Sequence, residues 1–260
     1  MNYDCLWHTP PKQLLLPMDE AHVWRASLHQ PEAVFQLLQK TLSADEVERA
    51  ARFHFERDRR RYIIGRGILR AILAGYLNRP PGDIQFSYGP QNKPALAAAS
   101  PKNNLSRKRT YLQFNLSHSH DQALYAFARR REVGVDLEQL RPLPDRDDIA
   151  GRFFSARENT IFQALPPLQR EEGFFNCWTR KEAYIKALGD GLAHPLGDFD
   201  VTLRPGEPAV LLAVKRSPDE VSRWSMRALT PFPGYVAALV VEGHDWRLQC
   251  WDWGAPGGPP

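Results

Sequence analysis

Only three cysteines occur in the 260 residues, at positions 5, 177 and 250, and none has metal-type spacing. An odd number of widely separated thiols predicts reduced cysteines in a cytoplasmic protein. The opening residues MNYDCLWHTPPKQ lack the basic-then-apolar pattern of a secretion signal. No apolar run reaches membrane-spanning length, and Val236 to Val241 is only strand-sized. Several catalytic signatures are missing as well. There is no G-x-S-x-G elbow and no G-x-x-x-x-G-K-[ST] phosphate loop. Gly65 and Gly67 are too few for a dinucleotide fingerprint and fall inside a helical pattern. His118 and His120 lack a third nitrogen or sulfur ligand at zinc-like spacing. These absences exclude membrane spans and remove the signatures of several common enzyme classes.

What is present supports a large folded core, with 43% hydrophobic and 11% aromatic residues. The formal charge is +4, and basic residues cluster at Arg57 to Arg61, Arg107 to Arg109 and Arg129 to Arg131. Such clusters suit phosphate-bearing ligands or acidic partners. Nucleic acid is disfavoured, because no groove-entering motif or aromatic platform accompanies them. Periodicity predicts helices over Pro31 to Gln39, Arg60 to Leu77, from Ser155 to the Pro166-Pro167 pair, and over Glu171 to Leu188. Ser43 and Glu46 form a capping-box pattern. Strands are predicted over Val23 to Leu28, Ile84 to Tyr88, Leu112 to Leu116, Ala123 to Ala128 and Glu132 to Leu137. Five more follow Asp200, at Val201 to Leu203, Val210 to Val214, Trp224 to Ala228, Tyr235 to Val241 and Arg247 to Trp251. The polar segment from Ala97 to Thr110 reads as a surface loop. Helix-then-strands occurs twice, so the expected class is α/β (α+β) with two similar halves.

Asp136 and Glu138 are two apart on a predicted strand, so both project from one face while Val133, Val135 and Leu137 face the core. Adjacent carboxylates repel unless a cation lies between them, and magnesium suits such a site when phosphate oxygens complete its shell. For an isolated pair of this kind an edge strand with solvated acids is the favoured reading. Glu182, on a long helix with Lys186 four residues later, supplies a third carboxylate and a cation to one face. Trp178, one turn earlier, reads as a core anchor. Lys181 is left between substrate contact and solvent. The hydroxyls and imidazoles of Ser117, His118, Ser119 and His120 stand at a strand end where a phosphate could be received.

Taken in order, the segments RFHFERDRRRYIIGRGILR, NKP, NLSHS, GVDLE, RFFSARE and WTRKEAYIK resemble the Sfp-type 4'-phosphopantetheinyl transferases over more than half the chain. The pairing of G-[VI]-D-x-E with W-[ST]-x-K-E-[AS]-[YF]-x-K some forty residues later is specific. The resemblance implies two lobes about a pseudo-twofold axis, residues 1–130 and 131–253, each a long helix on a mostly antiparallel sheet; the glycine- and proline-rich residues 254–260 read as a disordered tail. Coenzyme A, the substrate, would lie in the cleft between the lobes. Its phosphopantetheine arm would move to a serine of an apo acyl or peptidyl carrier protein of fatty-acid, polyketide or nonribosomal-peptide synthesis. By this resemblance Asp136, Glu138 and Glu182 bind Mg²⁺ (or Mn²⁺), and Glu182 and Lys186 are catalytic. Arg49, Lys93, Ser117, His118, Asp136 and Lys186 contact the coenzyme, and the protein works as a monomer. The family often carries a second base one turn before Arg49, where this chain has Glu46, and a hydroxyl where it has Tyr62. Arg52 or Arg61 would then compensate. The competing readings are a Mg²⁺-dependent phosphohydrolase of coenzyme A or nucleotides, and a non-catalytic carrier-protein-binding homologue.

Overall fold

A computed structural model describes residues 5–89, 93–97, 112–189 and 194–254. Most of the expected loop over 97–110, the residues after 254 and the turn following Gly189 lie outside the described residues. In chain order the elements are β1 (Trp7–His8), β2 (Glu20–Ser27), α1 (Glu32–Gln39), α2 (Ala44–Ala51), α3 (Glu56–Leu77), β3 (Phe86–Tyr88), β4 (Pro94–Leu96), β5 (Leu112–Ser119), β6 (Gln122–Arg129) and β7 (Val133–Gln139). The second half continues with α4 (Arg146–Phe153), α5 (Ala156–Gln163), α6 (Pro167–Leu188), β8 (Phe199–Val201), β9 (Leu211–Val214), α7 (Glu220–Arg223), β10 (Trp224–Leu229), β11 (Tyr235–Glu242) and β12 (Arg247–Asp252).

Both long helices begin four residues before their apolar patterns. In α3 the extra turn carries Glu56 and Asp58, whose charges suit a helix N-terminus. In α6 it is opened by Pro167, which needs no intrahelical N–H partner at that position. The helices stop at left-handed residues, Asn78 and Gly189. A full capping box starts α5, with Ser155 Oγ accepting from Glu158 N at 3.1 Å and Glu158 Oε2 accepting from Ser155 N at 2.8 Å.

One sheet has the order β1-β12-β2-β6-β5 and another the order β10-β11-β7, with two small hairpins, β3-β4 and β8-β9. The three-stranded sheet is antiparallel throughout. The larger sheet is antiparallel except where β12 lies parallel to both β1 and β2. Strand alternation splits the larger sheet between two cores: Trp24, Tyr125 and Phe127 pack toward α3, while Val23, Leu124 and Ala126 face the other way. The second group meets Val133, Val135 and Leu137 of β7 and Ala237, Leu239 and Val241 of β11. Ala238 and Val240 point from the opposite face of β11 into the core under α6. The helices thus flank the sheets, α3 on the first and α6 on the second. Gly134 allows α6 its closest approach, since a Cβ there would stand 2.1 Å from Ala183 O and 2.5 Å from Ala187 N.

The cysteine expectation is corrected by strand register. Parallel pairing of β1 with β12 sets Trp7 opposite Cys250 and brings Cys5 alongside it. The two form a disulfide, with Cα atoms 6.1 Å apart across 245 residues of sequence. Cys177 remains a free, buried thiol. Spacing along the chain cannot reveal a pair made by its first and last strands.

Candidate active site

A cleft of about 900 Å³ opens between the helix-bearing halves, lined from the first by α2, α3 and β5 and from the second by β7 and α6. All eight residues singled out from the sequence line it: Arg49, Lys93, Ser117, His118, Asp136, Glu138, Glu182 and Lys186. On β7 the valines and Leu137 are buried between the sheets. The intervening Asp136 and Glu138 are thereby turned toward α6, where Glu182 and Lys186 occupy one face a turn apart.

Lys186 is the electrostatic centre of this group. Its Nζ donates to Asp136 Oδ1 at 2.6 Å, Ser117 Oγ at 3.1 Å and Val135 O at 3.3 Å. Lys93 Nζ donates to the carbonyl of Lys186 at 2.6 Å, tying the β4 segment to α6. The other Asp136 oxygen, Oδ2, is buried with no hydrogen-bond partner. Glu138 Oε2 accepts from Ser119 Oγ at 3.0 Å and from Arg141 at 3.3 Å. Burial, then Asp136, push the Glu138 carboxyl upward against the Ser119 and Arg141 contacts. Glu182 is pushed up to about 7, first by burial and then by Asp136, with Lys186 opposing and Glu138 adding to the rise. Among the described residues no group of three potential ligands already converges as a metal site. An orphaned carboxylate oxygen beside two raised carboxyls is nevertheless a donor set that a hard divalent cation would satisfy.

The rest of the lining is cationic and aromatic. The ring of His118 faces the open cleft, yet burial by the walls, then Lys186 and Arg61, hold its imidazole below the ordinary value, with Asp136 opposing. Burial, reinforced by Lys186 and opposed by Glu132, lowers Lys93. Arg49 lies 5.7 Å from the centre of the Tyr62 ring. The Tyr62 hydroxyl is buried without a hydrogen-bond partner.

Glu46, which stands where the family often carries a basic residue and reads as serving the capping box, is not in the cleft wall. Its buried carboxylate bridges Arg66 at 3.0 Å and Arg70 at 2.7 Å and accepts from Ser43 N at 3.1 Å. Of the two arginines suggested to compensate, Arg61 lines the cleft, paired with Asp121 at 2.8 Å, and Arg52 is not among the lining residues. Arg66, which the sequence reading missed, does line it, hydrogen-bonded to Tyr88 and set over Phe86. Its position inside the apolar stripe of α3 was the available signal. Asn115 was also missed, although it alternates with Ser117 and Ser119 at two-residue spacing; Ser119, read as a phosphate-receiving hydroxyl, instead bonds Glu138.

Lys181 takes neither of the roles left open for it. It points away from the cleft, fully buried, with Nζ 2.7 Å from Glu158 Oε2 and donating at 2.7 Å to the carbonyls of Leu196 and Phe199. Trp178 is a half-buried anchor, stacked on Phe174 at 6.1 Å and edge-on to Phe153 at 5.9 Å.

Residues 132–240 match the family model described as "4'-phosphopantetheinyl transferase superfamily", and residues 22–129 match one described as "4'-phosphopantetheinyl transferase, N-terminal". The chain belongs to the 4'-phosphopantetheinyl transferase superfamily. Among particular relatives, it is 43% identical over 245 residues to the 4'-phosphopantetheinyl transferase HetI of a Nostoc species, covering 94% of this chain and 97% of that one. It is 27% identical over 205 residues to the transferase Sfp of Bacillus subtilis, with 78% and 84% covered. It is 37% identical over 187 residues to the transferase AcpT of Escherichia coli K12, with 72% and 83% covered. No helix of the described residues is long and apolar enough to cross a membrane.

Proposed function

We propose that this chain transfers the 4'-phosphopantetheine arm of coenzyme A to a serine hydroxyl of an apo acyl or peptidyl carrier protein. The carrying observation is one cleft lined by three carboxylates and Lys186 and also by Arg49, Arg61, Arg66 and His118. A polyanionic substrate fits such a cleft, and the basic surplus would also draw acidic carrier proteins to its mouth. In the reaction the serine Oγ bonds to the phosphorus nearer the pantetheine. The bond from that phosphorus to the bridging oxygen breaks, and adenosine 3',5'-bisphosphate leaves with the bonding pair.

Asp136, Glu138 and Glu182 would hold Mg²⁺ or Mn²⁺, a reading supported by the unpartnered Asp136 Oδ2 and the raised carboxyls beside it. The bound ion would neutralise charge on the pyrophosphate. Glu182 would take the serine proton directly or through a water it orients, and in its carboxylate form, which a bound cation favours, it can accept one. Lys186 brings its positive charge to the leaving phosphate, and Ser117 holds both Lys186 and Asp136 in place. Lys93 and Arg49 supply further cations along the path of the coenzyme.

The test is incubation of the protein with coenzyme A, Mg²⁺ and a panel of apo carrier proteins, read as a mass increase of one phosphopantetheine on the carrier. Asp136→Ala and Glu182→Ala should each lower turnover by about 100-fold or more without altering the fold. Release of phosphopantetheine to water without a carrier would instead make the protein a phosphohydrolase. Coenzyme binding without chemistry on any carrier, at varied metal and pH, would make it a non-catalytic homologue.

A further inference from the structure

At the floor of the cleft two sheet edges face each other: β5 is the outer strand of the five-stranded sheet and β7 the outer strand of the three-stranded one. One edge of β7 is paired with β11. Its other edge is closed by side chains rather than by a backbone ladder. The N–H groups of Val135, Leu137 and Gln139 donate to Asn115 Oδ1 at 3.0 Å, Ser117 Oγ at 3.3 Å and Ser119 Oγ at 3.2 Å. The three acceptors share one face of β5, and each is at most 7% exposed. Buried backbone N–H groups need partners, so the rungs hold β7 against β5.

Each serine rung has a second task. A hydroxyl carries one proton and two acceptor lone pairs, so one that accepts from backbone still has its proton to donate. Ser117 Oγ donates to Asp136 Oδ1 at 2.8 Å, and Ser119 Oγ donates to Glu138 Oε2 at 3.0 Å. The geometry repeats with a two-residue shift: each serine grips one β7 amide and the carboxylate of the residue before it. We infer that Asn115 and Ser119 are positioning residues, and that the β5 rungs set where Asp136 and Glu138 stand in the cleft. Ser119 in particular holds Glu138 toward the other carboxylates, against the competing pull of Arg141 from the rim. As regards the cation, this inference rests on the proposed function.

Ser119→Ala and Ser119→Thr separate positioning from simple packing. Direct Mn²⁺ titration by electron paramagnetic resonance should show roughly ten-fold or weaker binding in the alanine variant, in line with other residues that orient metal ligands. The KM for metal should rise more than kcat falls, and the Gln139 amide should exchange its proton faster. Threonine should restore all three. Ser119→Cys, which keeps the volume but hydrogen-bonds weakly, carries the test if the alanine variant does not fold. Unchanged Mn²⁺ affinity and unchanged Gln139 exchange in the alanine variant would overturn the inference, as would equal losses in the threonine variant. A wild-type protein that binds no Mn²⁺ would overturn the metal reading of the site instead. Gln139 exchange and its threonine rescue would still decide the rung.

Discussion

Replacing Lys181 with methionine removes an ammonium group that the charge pattern of α6 left open between substrate and solvent and that the tertiary structure places in the core. The side chains of Lys181 and Glu158 are 0% and 1% exposed, with their charged atoms 2.7 Å apart. Methionine fills nearly the same volume, so little of the effect is cavity. The variant would leave the Glu158 carboxylate buried without its counter-ion and strip the Leu196 and Phe199 carbonyls of a donor. Breaking one side of a buried pair costs about 3–5 kcal/mol. At about 2–4 °C per kcal/mol for a chain near this size, Tm should fall by about 6–20 °C. Glu158 still accepts from Ser155 N at 2.8 Å and Val201 N at 2.7 Å. The double variant Lys181→Met with Glu158→Gln should therefore recover part of the loss, because a neutral amide oxygen can keep one of those bonds without a stranded charge. The assay is thermal unfolding followed by tryptophan fluorescence, with coenzyme A affinity measured well below the new Tm. A Tm within about 2 °C of wild type together with a collapse of coenzyme affinity would refute the structural role and favour a substrate contact for Lys181.

Gly134→Ala should destabilise by about 3 kcal/mol, the upper part of the overpacking range, because its Cβ would meet backbone of α6 rather than a movable side chain. A variant with wild-type Tm would contradict that close approach. Glu182 gives a pH signature in the metal-free protein. Its folded-state value of about 7 lies above the ordinary 4.5, so its contribution to stability is present at low pH and is lost as pH rises through about 7. Glu138 is shifted in the same sense. Tm measured in chelator should accordingly decline over that window, and Glu182→Gln should flatten the decline; an unchanged slope would rule Glu182 out as its source. Reducing the Cys5–Cys250 bridge should cost about 2–4 kcal/mol. Alkylation and mass analysis of unreduced protein should find both of these cysteines protected, and labelling of either would disprove the bridge.

Much of the site was legible because β-strand and helix periodicities convert spacing into shared faces. Asp136 and Glu138 could be read two apart on a strand, and Glu182 and Lys186 four apart on a helix. The tertiary structure then brought both pairs to one cleft. The same logic failed for Lys181, because helix position alone cannot say which neighbour lies across from a residue. One step along α6 from Glu182 turns the side chain toward α5 and β8, where Glu158 waits. Glu46 was similarly ambiguous: its capping role was visible, but the clamp on Arg66 and Arg70 requires α2 and α3 to pack together.

Local spacing along the chain is enough to read the periodic elements, the lack of an apolar span and two charged pairs, Asp136 with Glu138 and Glu182 with Lys186. Packing between distant segments sets the pairing of β12 with β2 and the link from Cys250 to Cys5. It also decided that β5 closes the edge of β7 through Asn115, Ser117 and Ser119. Strand order, register and burial are set by which distant surfaces exclude water together, and that information is spread over the whole chain rather than held in any one segment.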